Sequence, residues 1–94
     1  MGINKSVFNK MEINMNQEKY NKAFMEAFDI KEESLDSDFK YNSISEWDSV
    51  GHMSLIAELE EAFDIMMEMD DIIDFSSYKK GFELITKYGV DFSK

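Results

Sequence analysis

A serine with an acidic residue before it and a histidine shortly after it is the first group in this sequence that could do chemistry. Ser49 follows Asp48, and His52 lies within the next turn of a helix that we predict to begin here. The first N–H groups of a helix lack backbone partners and form the positive end of its dipole. At an exposed position they would stabilise a phosphate ester on Ser49 by about 0.3–1 kcal/mol. Ser49 is therefore a candidate for covalent modification, and Asp48 could cap the helix and add charge for a metal-assisted transferase. The common alternative is a serine that only belongs to the helix cap.

The same three side chains could in principle form a hydrolytic triad. That chemistry also needs an oxyanion hole and a cleft, and the sequence has no Gly-x-Ser-x-Gly elbow. A helical wheel turns His52 toward the core, so we expect a structural, half-buried imidazole and no catalytic residue. The acidic run 64–74 lacks the glycine and the terminal glutamate of an EF-hand loop, and we predict no metal site.

Helical periodicity and capping residues predict an all-α fold, a small four-helix bundle of three main helices and one short one. The predicted helices span about 18–29, 48–64, 69–74 and 77–89. Between the first two lies a long loop, whose predicted anchors are Leu35, Phe39, Tyr41, Ile44 and Trp47. The apolar residues of 1–16 follow no steady period, so we predict a leader there, either ordered or disordered. The domain itself is predicted over 17–94.

The second predicted helix has two apolar faces. Its core face contains His52, Leu55, Ile56, Leu59 and Phe63, and the wheel suggests Gly51 and Glu58 for the opposite side. A second ridge consists of Val50, Met53 and Ala57, with Glu60, Glu61 and Asp64 at its border. A ridge that the core does not need, apolar at its centre and acidic at its edge, is typical of a docking surface. The methionines, including Met66, Met67 and Met69, are expected to be core filler.

The charge of −10 is concentrated in the middle of the chain. Residues 26–74 hold sixteen acidic residues and two lysines, a net charge of −14. This field repels nucleic acid and anionic membranes and favours basic protein partners. The chain has no cysteine and no apolar run of about 20 residues, so we expect a cytoplasmic monomer without disulfides or a membrane span.

The segment Ile44-Ser45-Glu46-Trp47-Asp48-Ser49-Val50-Gly51-His52-Met53, followed by Leu55-Ile56-Ala57-Glu58-Leu59-Glu60-Glu61-Ala62-Phe63, resembles the acyl carrier protein family. The similarity centres on Asp48-Ser49-Val50 and extends over about 17–88. It implies that a phosphopantetheinyl transferase attaches 4′-phosphopantetheine from coenzyme A to Ser49, with magnesium belonging to that reaction. The thiol of the arm would carry acyl or aminoacyl groups as thioesters, for fatty acid, polyketide or related biosynthesis, to acyl-loading and acyl-transfer enzymes with basic patches.

The resemblance also implies roles for other positions. Docking would use Val50, Met53, Ala57, Glu60 and Glu61. An acyl chain would be sheltered by Ile56, Leu59, Phe63, Met67 and Phe82. Val50 stands where the family usually has leucine, and Gly51 and Ser54 lack the charge often found there, which favours a specialised pathway over a housekeeping one. The alternative is an unmodified helical adaptor, a degenerate carrier that binds basic proteins.

Overall fold

The computed structural model describes the backbone of residues 2–92 and the side chains of residues 15–92. Four α-helices lie in this part of the chain: α1 (Gly2–Phe28), α2 (Ser49–Phe63), α3 (Met69–Asp74) and α4 (Tyr78–Thr86). The prediction of an all-α, four-helix fold with a long loop before α2 is thereby confirmed. The predicted leader, 1–16, falls almost entirely before the described side chains, and the division into leader and domain stays a prediction.

Helix α1 contributes one aromatic face to the core. Tyr20, Phe24 and Phe28, spaced by four residues, are at most 2% exposed, as the helical period predicts. The Phe24 ring lies 5.6 Å from that of Trp47 and 6.0 Å from that of Phe39, both edge-on. A cluster of rings therefore joins helix α1 to the long loop. Their edge-on arrangement is one that aromatic side chains favour.

Helix α2 begins and ends where its capping residues predict. The Asp48 carboxylate accepts a hydrogen bond of 2.9 Å from the Gly51 N–H, which caps the first turn. At the other end Asp64 adopts the left-handed conformation, with φ of 54°. The buried side chains are Leu55, Ile56 and Leu59. The core face of this helix was thus predicted correctly.

Gly81 lets α4 approach the Tyr20 hydroxyl and the Phe75 ring because it has no side chain. A Cβ atom at this position would lie 2.0 Å from the Tyr20 hydroxyl and 2.3 Å from the Phe75 ring. The helix is capped by Ser77, whose hydroxyl accepts a hydrogen bond of 2.9 Å from the Lys80 N–H, as predicted. Its last helical residue is Thr86, a few residues before the predicted end.

The loop 29–48 is ordered by its aromatic anchors and by backbone hydrogen bonds. Phe39 and Trp47 are buried, and Leu35 and Ile44 pack partly against the core. The Tyr78 N–H donates to the Phe39 carbonyl at 2.9 Å, beside an isolated bridge between Lys40 and Ser77.

The fifth predicted anchor, Tyr41, is 38% exposed, so the prediction that it anchors the loop to the core is correct only in part. Its ring lies edge-on to those of Trp47 and His52, so it covers the core from outside.

Candidate functional site

The hydroxyl of Ser49 is exposed at the first residue of α2. Asp48, not Ser49, supplies the side-chain cap of the helix. Within residues 15–92, no hydrogen bond of the fold uses the Ser49 hydroxyl. A capping role therefore does not account for Ser49, whose oxygen is accessible to a modifying enzyme.

The start of α2 offers N–H groups next to that hydroxyl. The Gly51 N–H donates to the Asp48 carboxylate, and the His52 N–H donates to the Asp48 carbonyl at 2.7 Å. The N–H groups of Ser49 and Val50 come before the first intrahelical hydrogen bond. They lie at the positive end of the helix dipole, where an anion attached to Ser49 is stabilised.

His52 is committed to structural hydrogen bonds at both ring nitrogens. Nδ1 accepts from the Trp47 indole N–H at 3.0 Å, so the proton of the neutral ring is on Nε2, which donates to the Ile72 carbonyl at 2.8 Å. The ring therefore has no free nitrogen to deprotonate Ser49. The predicted half-buried structural imidazole is confirmed.

Three aromatic rings surround the His52 ring. Trp47 is parallel to it, with centroids 6.3 Å apart and an interplanar angle of 15°. Tyr41 and Phe75 are edge-on at 5.8 Å and 6.2 Å. This arrangement, here called the His52 box, joins the long loop, α2 and the segment after α3. Sequence reasoning missed it, because its members come from separate parts of the chain.

The ridge of Val50, Met53 and Ala57 forms the outer face of α2. Val50 is 77% exposed and Met53 is 53% exposed. The wheel was wrong about the side opposite the core: Gly51 and Glu58 are half-buried. They are covered because the loop crosses the first turn of α2, and because α1 packs along the flank of the helix.

Gly51 is in close contact with the loop before α2. A Cβ atom there would lie 1.8 Å from the Glu46 carbonyl oxygen and 3.2 Å from the Phe28 ring. Any side chain at this position would collide with the backbone. Packing within the fold therefore explains why position 51 has no acidic side chain.

Two of the three predicted rim acids are exposed. Glu61 and Asp64 are open to solvent, whereas Glu60 is half-buried and its carboxylate accepts a hydrogen bond of 2.9 Å from the Met67 N–H. One carboxylate oxygen of Glu60 thus holds the α2–α3 connection, and its role as a partner contact stays a prediction. The exposed carboxylates of the rim are those of Glu61 and Asp64.

The apolar surface is not confined to α2. Met66 is 84% exposed, Met69 is 68% exposed and Ile73 is 70% exposed. The core-filler prediction was therefore wrong for Met66 and Met69 and correct for Met67, which is 5% exposed. The buried residue of α3 is Asp71, and Met69 and Ile73 of the same helix face outward.

Asp71 ties α3 to the end of α4. Its carboxylate accepts hydrogen bonds from Lys87 Nζ at 2.7 Å and from the Tyr88 hydroxyl at 2.5 Å. The hydrogen bond from Lys87 is the main cause that lowers the pKa of Asp71 below its usual value. The Tyr88 oxygen also accepts from the Glu68 N–H at 2.8 Å. This short helix is thus held by a polar cluster that the sequence did not reveal.

The five side chains predicted to shelter an acyl chain all belong to the core or pack against it. Ile56, Leu59 and Met67 are buried in the core, while Phe63 and Phe82 are partly buried at its edge. Phe82 lines an open groove with Gln17, Glu83, Thr86 and Phe92. The C-terminal tail, which no periodicity marked, places the Phe92 ring 4.9 Å from that of Phe82 and 6.0 Å from that of Phe63.

A charged cleft of about 250 Å³ separates α1 from α2. Lys19, Lys22 and Glu26 line the α1 wall, and Glu58 and Glu61 line the α2 wall. The opposite charges favour the packing of these two helices, although exposed pairs of this kind contribute little individually.

The described part of the chain contains no cluster of three or more His, Asp or Glu side chains arranged to hold a metal ion. Its helices include none with the length and apolar character needed to cross a bilayer. Comparison with protein-family models found none that matches this chain, and comparisons with curated proteins and with solved structures also found no match.

Proposed function

We propose that this protein is a carrier that holds acyl or aminoacyl groups as thioesters on a 4′-phosphopantetheine arm attached to Ser49. The observation that carries the proposal is the exposed Ser49 hydroxyl at the start of α2, which no described hydrogen bond of the fold uses. The apolar ridge beside it, and the resemblance of residues 44–63 to carrier proteins, support the same function. The protein itself would catalyse no reaction.

The surroundings of Ser49 fit the attachment of a phosphodiester. Its oxygen would attack the phosphorus of coenzyme A that bears pantetheine, forming a P–O bond while the pyrophosphate bond breaks and adenosine 3′,5′-bisphosphate leaves. The hydroxyl proton would pass to a base of the transferase, because both nitrogens of His52 are committed within the fold. The N–H groups of Ser49 and Val50 would then face the new negative charge. When bound, the arm would supply the thiol that forms the thioester.

The surface around Ser49 suits a partner with an apolar pocket bordered by basic residues. Val50 and Met53 would fill the pocket, and Glu61 and Asp64 would meet the surrounding cations. The charge of −10 would speed the encounter and make it sensitive to salt. Phosphopantetheinyl transferase and the acyl-transfer enzymes would share this surface.

Intact-mass measurement tests the modification directly. The protein is incubated with coenzyme A, magnesium and a broad-specificity transferase, beside a known carrier as a positive control. We expect a mass gain of one phosphopantetheine, lost in Ser49→Ala and kept in Ser54→Ala, which changes another exposed serine of α2. No gain while the known carrier is modified would refute the proposal and favour the unmodified adaptor.

The docking surface is tested by the kinetics of the same reaction. Val50→Ser and Glu61→Gln should raise the KM of the transferase for this protein several-fold, and added salt should raise it for the wild type. Glu18→Gln removes an equal charge from an exposed position of α1 and should leave KM unchanged. Equal effects of Glu61→Gln and Glu18→Gln would show that only net charge matters.

We further propose that the carrier serves a specialised pathway, such as polyketide, surface-polysaccharide or aminoacyl transfer. Support now comes from Val50 and the uncharged Ser54, because the contact with Glu46 accounts for Gly51. A pull-down with alternative partner enzymes tests this proposal. Preference for the standard fatty-acid ketosynthase would contradict it.

A further inference from the structure

We infer that the group carried on Ser49 stays outside the helical core, so that the cargo is a short or polar acyl group, such as an aminoacyl group, and not a long aliphatic chain. The inference rests on the proposed carrier function. It goes beyond that function by naming the class of cargo, and it replaces the expectation of a sheltering cavity. The observations that carry it are the closed side of α2 below Ser49 and the packing beneath it.

The core side of α2 is closed within one turn of Ser49. His52 lies on that side, and its Nε2–H bond to the Ile72 carbonyl at 2.8 Å joins α2 to α3. The rings of Trp47, Tyr41 and Phe75 pack around the imidazole, with centroids 5.8–6.3 Å from that of His52. A chain passing from Ser49 between α2 and α3 would have to break this bond and separate the rings.

The core beneath the box is already filled. Leu55 and Leu59 are not exposed, and Ile56 is 2% exposed. Protein interiors are close-packed, so an added chain must displace side chains of the protein. Among residues 15–92, Met67 is the one buried methionine, the type of side chain that adapts most readily to an added chain.

Helix α3 is held in place from its other side as well. Asp71 is bound by Lys87 and Tyr88, and Tyr88 also binds the backbone of Glu68. Moving α3 away from α2 to admit a chain would therefore strain two sets of hydrogen bonds, those of His52 and those of Asp71. Since the core is filled, the cargo stays outside it, where a polar or short group costs less exposed apolar surface than a long aliphatic chain.

The test uses the whole protein loaded from acetyl-, hexanoyl- and decanoyl-coenzyme A by the transferase. The rate at which hydroxylamine cleaves each thioester is measured, with acylated pantetheine of the same lengths as reference. Each methylene group that is buried raises the equilibrium constant for the sheltered over the exposed chain by about fourfold. We expect rates that follow the free reference compounds within about twofold, since no methylene group is buried.

The single tryptophan gives a second readout. Trp47 is fully buried beside His52, so a chain that entered the core there would disturb its emission spectrum. We expect the same spectrum and the same melting temperature for all three loaded forms. Cleavage that slows steeply from hexanoyl to decanoyl, with a changed Trp47 spectrum, would overturn the inference while leaving the carrier function intact. Failure of every coenzyme A derivative to load would instead refute the carrier function.

Discussion

Replacing Gly51 by alanine tests whether the loop before α2 lies against the helix as described. In an exposed helix this substitution stabilises, because alanine is the better helix former by about 1 kcal/mol. Here the new methyl group would lie 1.8 Å from the Glu46 carbonyl oxygen and 3.2 Å from the Phe28 ring. The loop, the helix or both must therefore move.

The magnitude follows from two opposing effects. Overpacking costs about 1–3 kcal/mol of stability. Because the Glu46 carbonyl belongs to the backbone and cannot rotate away, we expect about 3 kcal/mol here. Subtracting the gain in helix propensity leaves a loss of about 2 kcal/mol in the free energy of unfolding. For a domain of this size, that loss lowers Tm by about 8–16 °C.

Thermal and urea unfolding followed by circular dichroism measure this change. Ser54→Ala, an exposed position of the same helix, is the matched control and should raise stability by at most about 0.7 kcal/mol. Because Gly51 lies close to Ser49, we also expect Gly51→Ala to slow the modification of Ser49 by the transferase. A Gly51→Ala variant as stable as Ser54→Ala would refute the close approach of Glu46 to α2.

Further predictions concern the core, the caps and the titrating groups. Phe24→Ala removes a ring at the centre of the aromatic cluster and should cost about 3–5 kcal/mol, enough to unfold the domain as judged by near-ultraviolet circular dichroism. Ser77→Ala removes the cap of α4 and should cost about 1 kcal/mol in urea unfolding. The hydrogen bond from Lys87 holds the pKa of Asp71 below its usual 3.8. The Asp71 carboxylate therefore stabilises the fold above pH 3.8, and this contribution is lost as pH falls below that value. Asp71→Asn should make acid unfolding less steep. Burial raises the pKa of Tyr20 above its usual 10. The neutral phenol therefore contributes its full stabilisation below pH 10 and loses it as pH rises. Tyr20→Phe should shift alkaline unfolding to higher pH.

Apart from the start of α1, which lies at Gly2 and not near residue 18, the helices and the position of Ser49 could be predicted from the sequence because local rules govern them. The apolar period of α1, the Asp48 cap of α2 and the Ser77 cap of α4 each depend on residues within one or two turns. The bounds of α3, Met69–Asp74, agree with the prediction for the same reason. The exposed ridge of α2 also followed from its period.

Only the tertiary structure decided which of these side chains are free. Glu60 looks like a rim acid on a wheel, but the chain returns so that the Met67 N–H binds it. Gly51 looks exposed, but the loop places the Glu46 carbonyl against it. Hydrogen bonds and contacts between separate segments depend on where the loops cross, which helical periodicity does not record.

The same distinction applies to the interior. The apolar face of α2 was evident from its residues, yet whether that face borders a cavity or a filled core depended on partners from the whole chain. Trp47 and Ile72 bind the two nitrogens of His52 from opposite sides, and Phe92 returns from the C-terminal tail to cover Phe82. The sequence determined which residues turn inward, because hydrophobic burial follows the helical period. The tertiary structure decided how completely they fill the space, because packing depends on the shapes of residues brought together from distant positions.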